Sequence, residues 1–154
     1  LNPKAAGTVR GVSLILLARY LMKDLDVTNR ILIIDDDITA LDIVDILFEG
    51  RGFEVVRQPS GDSALEHLQE ANPDVILVDL MMPNMPGQEC VRLMRQRGVS
   101  VPIVAFTALD DPRVHQEACQ AGCTKVLVKP CKSKDLIKEI EVLLPVRSET
   151  EPSK

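Results

Sequence analysis

The chain has 154 residues, 45% hydrophobic and 27% charged, with a formal net charge of −5. That is enough for one domain with a full core and little more. The acidic balance argues against a nucleic-acid surface, which shows a basic stripe, and three Phe, one Tyr and no Trp leave little for base stacking.

Residues 1–10 carry no apolar period and read as a tail. Beyond them Leu14, Leu17, Ala18 and Leu21 fall at i, i+3, i+4 and i+7, which predicts a short amphipathic helix within residues 11–25. Its apolar face needs the domain, another chain or a preceding module. Arg19 interrupts the apolar run at 12–22, which is shorter than the roughly 20 residues of a membrane span. With no signal peptide evident, a cytoplasmic protein without membrane contact is expected. A first residue of Leu rather than Met suggests an excised piece.

Residues 30–34 read as a first strand, followed at once by Asp35, Asp36 and Asp37. One acid caps a helix; three in succession repel one another unless a cation neutralises them. Leu41, Val44, Leu47 and Phe48 mark the helix that follows, ending near Gly50 to Gly52. A second strand is expected at 53–57. A helix capped by Ser60 then carries Leu65 and Leu68 and stops before Asn72-Pro73. Val75, Ile76, Leu77 and Val78 form an unbroken apolar run, the pattern of a strand buried on both faces. Asp79 closes it, before the turn Leu80-Met81-Met82-Pro83-Asn84-Met85-Pro86-Gly87.

A helix over 87–97 turns Cys90, Val91 and Met94 inward. A fourth strand at 101–106 is closed by Thr107. Asp111 caps the next helix with Pro112 at its first position. A fifth strand at 125–128 is closed by Lys129-Pro130. Ser133 is expected to cap a last helix with Leu136, Ile137, Ile140, Leu143 and Leu144 on one face, stopped by Pro145, and 146–154 is a polar tail. Cys90, Cys119, Cys123 and Cys131 include no CxxC pair and read as small buried core residues. His67 and His115 read as ordinary surface histidines.

Strands alternating with helices imply a doubly wound α/β fold with a parallel sheet and helices on both faces. The carboxyl ends of parallel strands share one edge, where ligands bind. That edge collects Asp35, Asp36, Asp79, Thr107 and Lys129. Clustered carboxylates suit Mg²⁺, a carboxylate can attack phosphorus, and a lysine with a hydroxyl can hold phosphoryl oxygens.

Ile31-Leu32-Ile33-Ile34-Asp35-Asp36-Asp37, the run from Asp74 to Gly87, Val101-Pro102-Ile103-Val104-Ala105-Phe106-Thr107-Ala108 and Val126-Leu127-Val128-Lys129-Pro130 together resemble the receiver domain of two-component response regulators. The resemblance covers residues 30–145. It implies a flavodoxin-like (βα)5 three-layer sandwich with sheet order 2-1-3-4-5, and a phospho-accepting signalling domain rather than an enzyme. Asp79 would be the phosphoacceptor, with only self-catalysed phosphotransfer and autodephosphorylation. Asp36, Asp79 and the Met81 backbone carbonyl would hold Mg²⁺ directly and Asp35 through a water. Thr107 and Lys129 would bind the phosphoryl group, and the Lys129-Pro130 peptide would be cis. The partners implied are a sensor histidine kinase or histidine phosphotransfer protein and a downstream output domain or protein. No direct nucleic-acid binding is expected. A homodimer stays open, as does the setting: single-domain regulator, hybrid kinase or longer regulator. Val126 and Cys131 stand where the family often carries aromatic residues, which puts the usual readout in doubt.

A rival reading starts from Asp35-Asp36-Asp37-Ile38-Thr39, which fits the Asp-x-Asp-x-Thr motif of haloacid-dehalogenase-type phosphatases, with Asp35 as nucleophile and Asp37 as acid/base. No acidic pair follows Lys129, no cap insertion is present, and the Asp79 turn would have no role. A third reading, a pseudo-receiver that binds partners without phosphorylation, is disfavoured by the intact set of acids, threonine and lysine.

Overall fold

A computed structural model describes residues 28–145. The tail and amphipathic helix expected ahead of them, and the tail at 146–154, lie outside the described residues. Strands β1 (Arg30–Ile34), β2 (Glu54–Gln58), β3 (Val75–Val78), β4 (Ile103–Thr107) and β5 (Lys125–Val128) form one sheet of order β2-β1-β3-β4-β5. All neighbours pair in parallel. The helices are α1 (Ile38–Glu49), α2 (Gly61–Glu66), α3 (Leu68–Ala71), α4 (Gly87–Gln96), α5 (Pro112–Ala121) and α6 (Ser133–Glu141). The parallel pairing is what the alternation of strand and helix predicts, and the strand order is the one the family resemblance implies.

Successive strand residues point to opposite faces, so a strand apolar at every position feeds two cores. Ile31 and Ile33 of β1, Val75 and Leu77 of β3 and Val104 of β4 pack under α1 and α6, against Leu41, Phe48, Leu136 and Ile140. Leu32 and Ile34, Ile76 and Val78, and Ile103 and Ala105 face α2 to α5, against Leu65, Cys90, Met94 and Ala118. Each fully buried aliphatic side chain contributes about 1.5–3 kcal/mol, so the middle three strands anchor both layers.

Several boundaries differ from the sequence expectation. The helix expected after Ser60 is interrupted at His67, whose ring Nδ1 lies 2.9 Å from the Ser63 carbonyl oxygen. Ser133 is not a cap: Lys132 occupies that place without a side-chain bond, and Ser133 is the first helical residue. β4 begins at Ile103, after Pro102, which has no N–H to give a ladder. Two cysteines, Cys90 and Cys123, are buried as expected, and burial pushes their thiols up, to about 11 and about 12. Cys119 is exposed and Cys131 half-buried, so neither is a core residue.

Charged residues mark both edges of the sheet. On β2, Arg57 pairs with Asp42 and Asp45 of α1, and Glu54 with Arg30. On β5, Lys125 pairs with Glu139 of α6. The outer face of α1 is apolar at Ile43 and Ile46, which are 61% and 72% exposed. No helix among the described residues is long and apolar enough to cross a membrane.

Candidate functional site

The strand register builds the site. Ile34 of β1 sits beside Val78 of β3, so the residues that follow them, Asp35 and Asp79, leave the sheet side by side. Thr107 closes β4 beside Val128 of β5, and Lys129 comes next. Main-chain bonds hold these exits: the Asp79 N–H donates to the Ile34 carbonyl at 2.9 Å, and the Lys129 N–H to the Thr107 carbonyl at 2.7 Å. The Lys129-Pro130 peptide is cis.

Each of the three acids after β1 has its own surroundings. Asp35 is 6% exposed; its Oδ1 accepts from the Asp37 N–H at 2.9 Å and its Oδ2 from the Lys129 ammonium at 2.8 Å. Asp36 is exposed. Asp37 caps α1, accepting from the N–H groups of Thr39 and Ala40. The cap therefore accounts for Asp37, and the remaining two acids meet Asp79. Carboxylate oxygens of Asp35, Asp36 and Asp79 lie within 4.8 Å of one another.

Burial pushes the Asp79 carboxyl above its usual range, and the negative charges of Asp35 and Asp36 act the same way. The Met81 N–H, donating to Asp79 Oδ1 at 3.1 Å, and the Lys129 ammonium, 3.8 Å from Asp79 Oδ2, oppose that push. Lys129 thus bridges Asp35 and Asp79 as an internal counter-charge. Three hard carboxylates facing one ammonium still carry excess negative charge, so the donor set fits Mg²⁺. Thr107 is fully buried, and its Oγ1 accepts from the Leu109 N–H at 3.2 Å.

Three features of the site escape a sequence reading. The Lys129 ammonium lies 5.1 Å from the centre of the Phe106 ring, so a cation–π contact steadies it from β4. The one available signal was an aromatic residue directly before Thr107. Gly87, read as the end of the turn and the start of the next helix, sits against the Asp79 backbone: a Cβ there would lie 2.3 Å from the Asp79 carbonyl oxygen. His115, read as a surface residue, is half-buried, and its Nε2 is 2.9 Å from the Leu109 carbonyl oxygen.

Comparison with known proteins agrees with this geometry. The response regulator receiver domain family matches residues 31–141. The DNA-binding response regulator MtrA of Mycolicibacterium smegmatis is 34% identical over 125 residues, spanning 81% of this chain and 54% of that protein. The CAI-1 autoinducer sensor kinase/phosphatase CqsS of Vibrio cholerae is 32% identical over 115 residues, 73% of this chain and 17% of that protein. The chain thus spans about half the length of the first relative and less of the second. Among solved structures, the chemotaxis protein CheY4 of Vibrio cholerae superposes with a TM-score of 0.73 at 33% identity, covering 76% of this chain and 99% of that one. The BeF3-activated receiver domain of Klebsiella pneumoniae RstA gives a TM-score of 0.72 at 26% identity, covering 75% and 97%. With the strand order, the two-sided core and the acidic edge all in place, the chain belongs to the response regulator receiver domain family.

Proposed function

We propose that Asp79 accepts a phosphoryl group from a phosphohistidine of a sensor kinase or phosphotransfer protein, and that the aspartyl phosphate signals to an output domain or protein. The observation that carries this reading is the acidic cluster at the ends of β1 and β3, with Lys129 from β5 bridging Asp35 and Asp79. An Asp79 carboxylate oxygen attacks phosphorus, the P–N bond of the donor breaks, and the histidine nitrogen leaves with the bond's electrons. Burial that raises the Asp79 carboxyl also makes its oxygen more basic.

Receiver domains bind Mg²⁺ at an acidic pocket, and Asp36, Asp79 and the Met81 carbonyl would hold it here, with Asp35 acting through a water. Bound there, Mg²⁺ offsets the negative charge that develops on the phosphoryl oxygens. The rest falls to the chain. Lys129 shares its ammonium between the acids and the incoming phosphoryl group, Phe106 limits where that ammonium swings, and the Thr107 hydroxyl donates to a second phosphoryl oxygen. The matches to a DNA-binding response regulator, MtrA, and to a sensor kinase/phosphatase, CqsS, support a kinase-borne donor for a domain of this kind.

The test is incubation with Mg²⁺ and acetyl phosphate. One hydroxylamine-sensitive phosphate per chain is expected, absent in Asp79→Asn. Phosphate retained in that variant, with steady hydrolysis lost instead in Asp35→Asn, overturns the reading in favour of a phosphatase.

Metal binding gives a second expected outcome. A ligand that binds only the folded state at a hundredfold excess over Kd stabilises it by about 2.7 kcal/mol, so Mg²⁺ raises the Tm. Asp36→Ala removes most of that shift and, by relieving repulsion, raises the Tm of the metal-free protein. Equal Mg²⁺ shifts in wild type and variant in a thermal melt would show the ligand set to be wrong.

A further inference from the structure

We infer that His115 is a positioning residue of the switch: through the carbonyl of Leu109 it holds the β4–α5 loop, and with it the Thr107 hydroxyl, in the unphosphorylated arrangement. This rests on the reading of Asp79 as acceptor. Leu109 is held at both ends. Its N–H donates to Thr107 Oγ1 at 3.2 Å, and its carbonyl oxygen lies 2.9 Å from His115 Nε2. A carbonyl oxygen only accepts, so Nε2 carries the proton and the imidazole is the donor.

The surroundings leave this segment little freedom. Thr107 is fully buried, and its carbonyl takes the Lys129 N–H at 2.7 Å, so its backbone is pinned. At the far end Asp111 caps α5, accepting from the Arg113 N–H at 2.8 Å, and its carbonyl accepts from the His115 N–H at 3.0 Å. His115 thus stands one turn into α5 with its ring folded back over the loop. Between the pins lie Ala108, Leu109 and Asp110. Any displacement of Thr107 Oγ1 toward Asp79 either draws Leu109 along or releases its N–H. Drawn along, the Leu109 carbonyl leaves the imidazole; held by the imidazole, Leu109 gives up the hydroxyl instead, so the His115 bond opposes the displacement either way. In this proposal the bond belongs to the unphosphorylated arrangement and is weakened or lost in the other. A hydrogen bond of ordinary net strength biases such an equilibrium by about two- to tenfold.

The experiment uses the full chain with Mg²⁺ and beryllofluoride, comparing wild type, His115→Phe and His115→Gln by fluorine and nitrogen-15 NMR. Phe keeps a ring and loses the donor; the Gln amide nitrogen has about the reach of Nε2. The expected result is an affinity about two- to tenfold higher for His115→Phe, with the 108–110 amides already displaced toward their bound positions, and a return to wild-type behaviour in His115→Gln. In wild type the Nε2 proton is slow to exchange in the free protein and fast in the bound one. Equal affinities in wild type and His115→Phe overturn the inference, as does a His115→Gln variant altered like His115→Phe, or an Nε2 proton indifferent to the anion. If His115→Phe does not fold, the Nε2 exchange comparison in wild type decides alone. If wild type takes neither beryllofluoride nor phosphate, the acceptor reading itself falls and this inference with it.

Discussion

Gly87→Ala lowers the rate of phosphorylation from acetyl phosphate about a hundredfold, the scale of penalty that a misplacement near 1 Å brings to a reacting group. The cause is contact with main chain, not with a side chain that can turn away. A Cβ at position 87 would lie 2.3 Å from the Asp79 carbonyl oxygen and 2.7 Å from Leu80 Cα, while the Gly87 N–H donates to the Leu80 carbonyl at 3.0 Å. Relief of the clash must move the Asp79 peptide itself. Overpacking of this kind costs about 2 kcal/mol, which urea unfolding measures. Gly98→Ala is the matched comparison: φ there is +87°, and nothing lies within 4 Å of the added carbon. That variant loses about 1–2 kcal/mol to left-handed backbone strain and phosphorylates at the wild-type rate. A Gly87→Ala protein that also phosphorylates at the wild-type rate would mean that the 87 contact does not position Asp79.

The phosphate, once on Asp79, is expected to be long-lived. Hydrolysis needs water in line with the Asp79 oxygen, and the family resemblance implies that the side chains two residues beyond Asp79 and two beyond Thr107 would flank that approach. Here they are Met81, 56% exposed, and Leu109, half-buried. Neither side chain can orient a water by a strong hydrogen bond, and at those positions both would obstruct it. Met81→Asn with Leu109→Glu supplies an amide and a carboxylate in their place. Each tenfold in rate corresponds to about 1.4 kcal/mol, and positioning one water is worth at least that. Phosphorylated protein freed of donor and followed by loss of label therefore decays about tenfold faster in the double variant. Decay at an equal or slower rate removes these two positions from the account.

Much of this was legible because strand ends in a parallel sheet share an edge. Asp35, Asp79, Thr107 and Lys129 each stand at the close of an apolar run, and parallel pairing brings such positions together without any knowledge of side-chain direction. The helix start at Asp111 was equally readable, since a cap is a local bond, whereas which of the three acids after β1 caps α1 was not. What escaped depended on contacts between distant segments. The approach of Gly87 to the Asp79 carbonyl and the Phe106 ring beside Lys129 exist only once the turn and strands are placed. The fold of the His115 ring onto Leu109 spans just six residues, yet it depends on the angle at which α5 leaves the loop. The exposed Ile43 and Ile46 went unread for another reason: α1 is apolar on more than one face, and its periodicity marked only the inward one.

The charged strands at the two margins of the sheet carry a consequence for assembly. A strand margin with free N–H and C=O groups invites pairing with another chain, and inward-tied charge is a recognised way of blunting it. On β2 the Arg57 guanidinium is drawn back over the sheet by Asp42 and Asp45, and on β5 the Lys125 ammonium is drawn onto α6 by Glu139. A partner adding a strand at either margin would have to displace these pairs and leave their charges without counterparts. Recognition of this domain by other proteins is therefore steered away from strand addition and toward the outer surfaces of its helices and the loops at the acidic end of the sheet.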